Sequence, residues 1–219
     1  MSQNKPIRRI AIIGTGVIGA SWSALFLAKG LDVVATDVAP GAEAALRRFV
    51  STAWPALQRL GLASGASQNR LSFTAALTDA VKGVDLVQEN GPEKIDFKKT
   101  LYRQLDELLH PNVIIASSSS GLTMSEIQLG AAIHPERCVI AHPFNPPHLI
   151  PLVEIVGGAK TSEATIQRAS EFYTSIGQRT VRLNKEMSGH VANRLQAALA
   201  REVYYLVAEG VVSAASTLP

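Results

Sequence analysis

Short apolar runs alternate along the chain with longer stretches whose apolar positions return every three or four residues. The runs at 8–13, 32–36, 71–74, 84–88, 113–116, 137–141, 152–156 and 178–182 read as strands. Between them, Ile18, Trp22, Leu25 and Phe26 share one face of a helix ending near Gly30. A long Ala/Leu/Arg helix is expected over 41–60, a loop over 61–70, and short helices over 75–81 and 123–129. Phe97, Leu101, Leu105, Leu108 and Leu109 mark another helix, which stops at His110-Pro111. Further helices are expected over 161–177 and 188–209. Regular strand–helix alternation predicts an α/β fold, a Rossmann-type doubly wound, mainly parallel sheet with helices on both faces. The short strand-to-strand steps near 141–156 and 179–182 predict extra strands at one end, parallel or antiparallel.

Composition narrows the class. The 219 residues are 47% hydrophobic and 18% charged, enough for one full core. No apolar run approaches the roughly 20 residues a membrane helix needs, so no membrane partner is expected. The start, MSQNKPIRRI, carries charge without a following apolar stretch and does not read as a secretory signal. The single cysteine, Cys138, excludes an internal disulfide and a multi-cysteine zinc site, and no metal is expected. A cytoplasmic location follows as the expectation. Net charge is +3, but the basic residues are scattered, which argues against a nucleic-acid partner.

Gly14-Thr15-Gly16-Val17-Ile18-Gly19 fits G-x-G-x-x-G, follows a strand and opens a helix. Gly14 permits the tight turn, Gly16 lets a pyrophosphate approach the backbone, and Gly19 lets helix and strand pack closely. The backbone through Val17 and Ile18 forms a helix N-terminus, whose free N–H groups suit phosphate. Asp37, ending the second strand, would accept from ribose hydroxyls and repel a 2′-phosphate, and Val38-Ala39-Pro40 supplies no arginine to compensate. NAD is therefore expected over NADP; the fingerprint by itself leaves FAD open. Asn90, Glu93 and Lys98 follow the 84–88 strand, at a carboxyl end where ligands lie in such sheets. They either reach the cofactor or, for Glu93 and Lys98, are surface charges at a helix start.

His142 stands where the 137–141 strand ends, and Glu154 interrupts an apolar strand, where a carboxylate is costly without a partner. The chain turns back between them, so Glu154 can orient one imidazole nitrogen and free the other for proton transfer. The alternative is a solvent-facing Glu154 on an edge strand. Ser117-Ser118-Ser119-Ser120 follows another strand end, as substrate or ribose contacts or as a polar loop. Asn193 lies off the apolar stripe Val191, Leu195, Leu199, Val203, Leu206, and either lines a cleft or faces water. No G-x-S-x-G elbow supports serine hydrolysis.

Together GTGVIG, Asp37, ENGPEKIDFK, ASSSSGL, AHPFNPP, LVEIVGG and HVANRL resemble the 3-hydroxyacyl-CoA dehydrogenase family through nearly the whole chain. The sequence is most similar to its carnitine 3-dehydrogenase branch, with the gulonate dehydrogenase (lambda-crystallin) branch next. The resemblance implies NAD-dependent oxidation of the 3-hydroxyl of a small 3-hydroxy acid. It implies His142 as general base, Glu154 as its orienting partner, and Ser120 and Asn193 as donors to the reacting oxygen. Asn145 becomes a supporting site residue, and Phe144 a wall for a quaternary ammonium. Gly14, Gly16, Gly19, Asp37, Glu93, Lys98 and Ser118 become NAD contacts. An acyl-CoA substrate and L-gulonate remain alternatives, as does an inactive NAD-binding fragment. The expected organisation is an NAD-binding domain over 1–184, then over 185–219 the first helix of a truncated all-α domain. That domain, in the family, closes the cleft and usually forms a homodimer.

Overall fold

The computed structural model describes residues 6–217. One eight-stranded sheet organises the chain. Its strands are β1 (Arg9–Ile13), β2 (Asp32–Thr36), β3 (Leu71–Phe73), β4 (Leu86–Glu89), β5 (Ile114–Ser117), β6 (Cys138–Pro143), β7 (Leu152–Gly157) and β8 (Arg179–Leu183). Their spatial order is β3-β2-β1-β4-β5-β6-β7-β8. Every neighbouring pair is parallel except β6–β7, so the terminal β8 runs parallel to β7. Strand order reverses between β1 and β4, and a crevice opens there at the carboxyl ends of the strands.

The helices are α1 (Val17–Ala28), α2 (Ala42–Leu60), α3 (Leu77–Ala80), α4 (Ile95–Leu108), α5 (Met124–Ile127), α6 (Glu163–Ser175), α7 (Ala192–Ala208) and α8 (Ala214–Thr217). Two apolar cores lie on opposite faces of the sheet, as the period-2 alternation of strand side chains requires. Ile10, Ile12, Val139 and Ala141 join Trp22, Phe26, Leu46 and Tyr173 from α1, α2 and α6. Ala11, Ile13, Cys138 and Ile140 join Leu101, Tyr102, Leu105 and Ile127 from α4 and α5. Trp22 stacks on Phe26 one turn along α1 with ring centroids 5.3 Å apart, and the two rings meet Tyr173 and Phe172 of α6, so α1 and α6 pack together through aromatic contacts.

The glycine loop is shaped by two close approaches. Gly14 adopts φ +82°, and a Cβ there would stand 2.8 Å from the Asn90 carbonyl oxygen. A Cβ on Gly19 would stand 1.9 Å from the Gly14 carbonyl oxygen, so only glycine lets α1 sit this close to β1. Helix α7 differs from α1–α6: none of its residues is buried, and the expected stripe at Leu195 and Leu199 is 65% and 68% exposed. It also starts later than the pattern predicts. Residues 184–191 lie outside helix and strand and end in a turn over 188–191, with Gly189 at φ +78° and His190 at φ +48°.

Candidate active site and dinucleotide groove

The carboxyl ends of β1, β2 and β4 deliver Gly14, Asp37 and Asn90 to one groove. It holds about 510 Å³ and is lined by Gly14, Gly16, Asp37, Asn90 and apolar Leu77 and Phe97. A Cβ on Gly16 would meet no protein atom within 4 Å, so space stands open over the loop. Helix α1 begins there with no acidic side chain in its first turn and no side-chain cap, leaving its N–H groups for an anion. Asp37 Oδ2 accepts from the Thr15 N–H (2.6 Å) and hydroxyl (2.9 Å), and Oδ1 accepts from the Ala39 N–H (2.9 Å). Burial pushes the Asp37 carboxyl up, but these hydrogen bonds outweigh it and hold it below its ordinary range. A carboxylate has about four acceptor positions, so capacity remains for a hydroxyl. The residues present thus fit a dinucleotide: open backbone for the pyrophosphate, an acceptor at the β2 end, and apolar walls. Arg47, one of three arginines on α2, lines a depression shared with Asp37, a placement its sequence does not mark, and is ion-paired to Glu43 at 2.8 Å.

Asn90 is held rigidly. Its Nδ2 donates to the Gln88 carbonyl (2.9 Å), and its Oδ1 accepts from Ser118 Oγ (2.8 Å). Ser118 Oγ in turn accepts from Gln88 Nε2 (2.9 Å) and Trp22 Nε1 (3.3 Å). Glu93 ties down the loop after β5: its Oε1 accepts from Ser119 Oγ (2.5 Å) and from the N–H groups of Gly121 (2.7 Å) and Leu122 (3.1 Å). Burial raises the Glu93 carboxyl, and the hydrogen bonds from Ser119, Gly121 and Leu122 bring it net below its usual range. Lys98 is turned away from the groove. Its Nζ is buried, 2.8 Å from both oxygens of Glu89, whose Oε2 also accepts from Ser117 Oγ at 2.6 Å. Glu89 was not singled out in the sequence, because a carboxylate closing a strand carries no local pattern.

Deeper in, β6 and β7 pair antiparallel with His142 directly opposite Glu154. His142 Nδ1 lies 2.8 Å from Glu154 Oε2, with both residues buried. Glu154 Oε1 accepts the N–H groups of Val191 (2.9 Å) and Ala192 (3.0 Å), capping α7, which has no side-chain cap of its own. Burial lowers the His142 imidazole below its ordinary 6.5, more than the Glu154 hydrogen bond raises it. A ring held this way carries its proton on Nδ1 and is neutral at pH 7, so Nε2 can take a proton. A cavity of about 360 Å³ is lined by Ser118, Ser120, His142, Phe144, Asn145 and Asn193, among others. Ile18 also lines it; Gly16 lines the dinucleotide groove. Cys138 takes no part: burial pushes its thiol up to about 12. Among the described residues, no group of three or more His, Cys, Asp or Glu could hold a metal, and no helix is long and apolar enough to cross a membrane.

Comparison with known proteins agrees with this architecture. The chain is 50% identical over 204 residues to an L-carnitine dehydrogenase of Streptomyces griseus, covering 93% of this chain and 61% of that protein. It is 50% identical over 207 residues to an L-carnitine dehydrogenase of Pseudomonas putida, covering 94% and 64%. The chain thus spans somewhat under two thirds of these relatives. Among solved structures, 5-formyl-3-hydroxy-2-methylpyridine 4-carboxylic acid 5-dehydrogenase, an NAD+-dependent dismutase, superposes with TM-score 0.88 at 41% identity, over 94% of this chain and 67% of that one. The Escherichia coli 3-hydroxybutyryl-CoA dehydrogenase superposes with TM-score 0.85 at 25% identity, over 95% and 44%. Residues 9–187 match the 3-hydroxyacyl-CoA dehydrogenase NAD-binding domain, and the chain belongs to that family.

Proposed function

We propose that this chain carries the NAD site and the proton-transfer pair of a dehydrogenase that oxidises the 3-hydroxyl of a small 3-hydroxy acid of the carnitine type. The observation that carries this reading is the buried His142–Glu154 pair, with His142 lining the inner cavity. Gly14, Gly16, Val17, Ile18 and Gly19 would cradle the pyrophosphate of NAD, with Asp37 at the ribose and Asn90 and Ser118 further in. Bound NAD supplies the hydride acceptor. Glu154 fixes the His142 tautomer, and Nε2 removes the hydroxyl proton as the carbonyl forms. Ser120 and Asn193 donate to the developing oxygen, and Asn145 supports them from the cavity wall. Phe144 offers a ring face to a quaternary ammonium, a contact worth about 0.5–2 kcal/mol. The identity to proteins named L-carnitine dehydrogenase supports this substrate over an acyl-CoA or L-gulonate.

The test is NADH formation followed by absorbance with L-carnitine, L-gulonate and 3-hydroxybutyryl-CoA. Turnover with L-carnitine alone supports the branch, and no turnover with any of them overturns it for this chain. A second reading, NAD binding without catalysis, draws on the uncovered apolar stripe of α7 beside the inner cavity, which Asn193 and Gln196 line. NADH fluorescence on binding without turnover would favour it. We further propose a cytoplasmic setting and a division into an NAD-binding domain over 1–184 and the start of a helical domain over 185–219. A homodimer would cover the exposed Leu195, Leu199 and Tyr204; a monomeric sedimentation mass across concentrations overturns that.

A further inference from the structure

His190, the first residue of the HVANRL segment, is buried, with 3% of the residue exposed, and the sequence assigns it no role. Its backbone sits at φ +48°, a left-handed conformation that few non-glycine residues adopt and that histidine, asparagine and aspartate adopt more often than most, one residue before the α7 N-cap. Its ring lies against His142, with centroids 4.9 Å apart and planes inclined by 47°. Its Nε2 is 2.9 Å from the Ser119 carbonyl oxygen, in the loop held by Glu93. A carbonyl oxygen only accepts, so the neutral ring carries its proton on Nε2. Its Nδ1 is buried and, among the described residues, has no hydrogen-bond partner.

We propose that His190 is a positioning residue of the His142–Glu154 pair: pinned to Ser119, it walls one face of His142 and presents the N–H groups of Val191 and Ala192 to Glu154 Oε1. The inference rests on the reading of His142 as the base. Three separate segments meet through this ring: the loop after β5, the strand bearing His142, and the start of α7. The left-handed turn at 189–190 is what swings the first α7 N–H groups toward Glu154. The ring also keeps water from His142, and water exclusion is the largest cause holding that imidazole below its ordinary 6.5. The ionisable groups around this junction are His142 on β6, Glu154 on β7 and Glu93 behind Ser119, with the positive end of α7 beside them. Any charge on His190 would lower His142 further, in the same direction as burial.

The experiment is NMR of the imidazole rings in the 219-residue chain, a readout independent of turnover. In the wild type, neutral His190 is expected as the Nε2–H tautomer. His190→Gly and His190→Asn both suit a left-handed backbone and both remove the wall. Each is expected to move the His142 titration midpoint upward, by about half a pH unit or more, as water reaches the ring. A wild-type His190 protonated on Nδ1 overturns the proposal without any substitution. So does an unmoved His142 midpoint in either folded variant. His142→Asn, read by turnover, tests the base assignment separately: if it retains activity the base reading falls, whatever the midpoints show.

Discussion

His142 and Glu154 face each other across the single antiparallel pairing of the sheet, and the Glu154 carboxylate serves two masters: Oε2 the imidazole, Oε1 the start of α7. This geometry makes Glu154→Gln informative. Oε1 is claimed by two backbone N–H groups, so the glutamine oxygen must turn to α7 and its amide NH2 to His142. Nδ1 then has to accept, the proton moves to Nε2, and the proposed base is lost although shape and packing survive. The expected result is a loss in kcat on the order of 10²–10⁴-fold with NADH affinity and melting temperature nearly unchanged. His142→Gln should do the same. A variant that binds NADH poorly in proportion to its lost turnover would instead show the pair to be structural.

Four groups at least partly buried give the fold an acid-sensitive stability. His142 and His148 are both held below 6.5 mainly by burial. Between their folded values and 6.5 the unfolded chain binds more protons, so stability rises with pH there, is complete above about 6.5, and falls as pH drops below it. Asp37 and Glu93 lie below their ordinary 3.8 and 4.5 despite burial, which alone would raise them, because hydrogen bonds stabilise the charged forms. Their contribution is present above those values and is lost as pH falls through them. Denaturant midpoints measured against pH should therefore decline in two stages on acidification. His142→Gln combined with His148→Gln should remove the first stage and leave the second. A midpoint that rises on crossing below pH 6.5 contradicts the assignment.

The glycine loop, Asp37, and the pairing of His142 with Glu154 were legible because each is a local pattern: a turn motif between a strand and a helix, or a charge set in an apolar run. The strand set was legible for the same reason, with ends displaced by one or two residues where a polar residue closes an otherwise apolar strand, as Glu89 closes β4. What remained hidden depends on distant positions. Lys98 reads as a cofactor contact until the fold sets it against Glu89 beneath the groove. His190 reads as one residue of HVANRL until the topology lays it on His142. Helix α7 has the periodicity of a buried face, yet its apolar stripe is exposed, because periodicity states that a face is to be covered without stating by what.

The Lys98–Glu89 pair predicts a strong asymmetry between single and double substitution. Both side chains are fully buried, and Glu89 also receives the N–H of Gly91 at 2.6 Å and the hydroxyl of Ser117. Lys98→Met leaves an uncompensated buried carboxylate and should cost about 3–5 kcal/mol. Adding Glu89→Gln neutralises that charge while retaining an acceptor for Gly91 or Ser117, and should recover a good part of the loss. Urea unfolding of the wild type, the two singles and the double measures the coupling directly. Additive losses would mean that the pair is not an interacting unit in solution.

The three motif glycines predict three different outcomes for the same added methyl group. At Gly19 the methyl carbon would lie 1.9 Å from the Gly14 carbonyl oxygen, backbone that cannot yield without moving α1 off β1. Gly19→Ala should therefore lose about 2–3 kcal/mol of stability, and nucleotide binding with it. Gly14→Ala adds strain at φ +82° to a 2.8 Å approach to the Asn90 carbonyl, and should likewise destabilise. Gly16 is the informative position. Its φ of −61° suits alanine, and no protein atom lies within 4 Å of the added carbon. Gly16→Ala should melt within about 0.5 kcal/mol of the wild type, yet bind NADH at least about tenfold more weakly if the proposed site holds, because the methyl would occupy the space through which the pyrophosphate would meet the α1 N–H groups. Unchanged NADH affinity in Gly16→Ala would place the nucleotide elsewhere, whatever the other two variants do to stability.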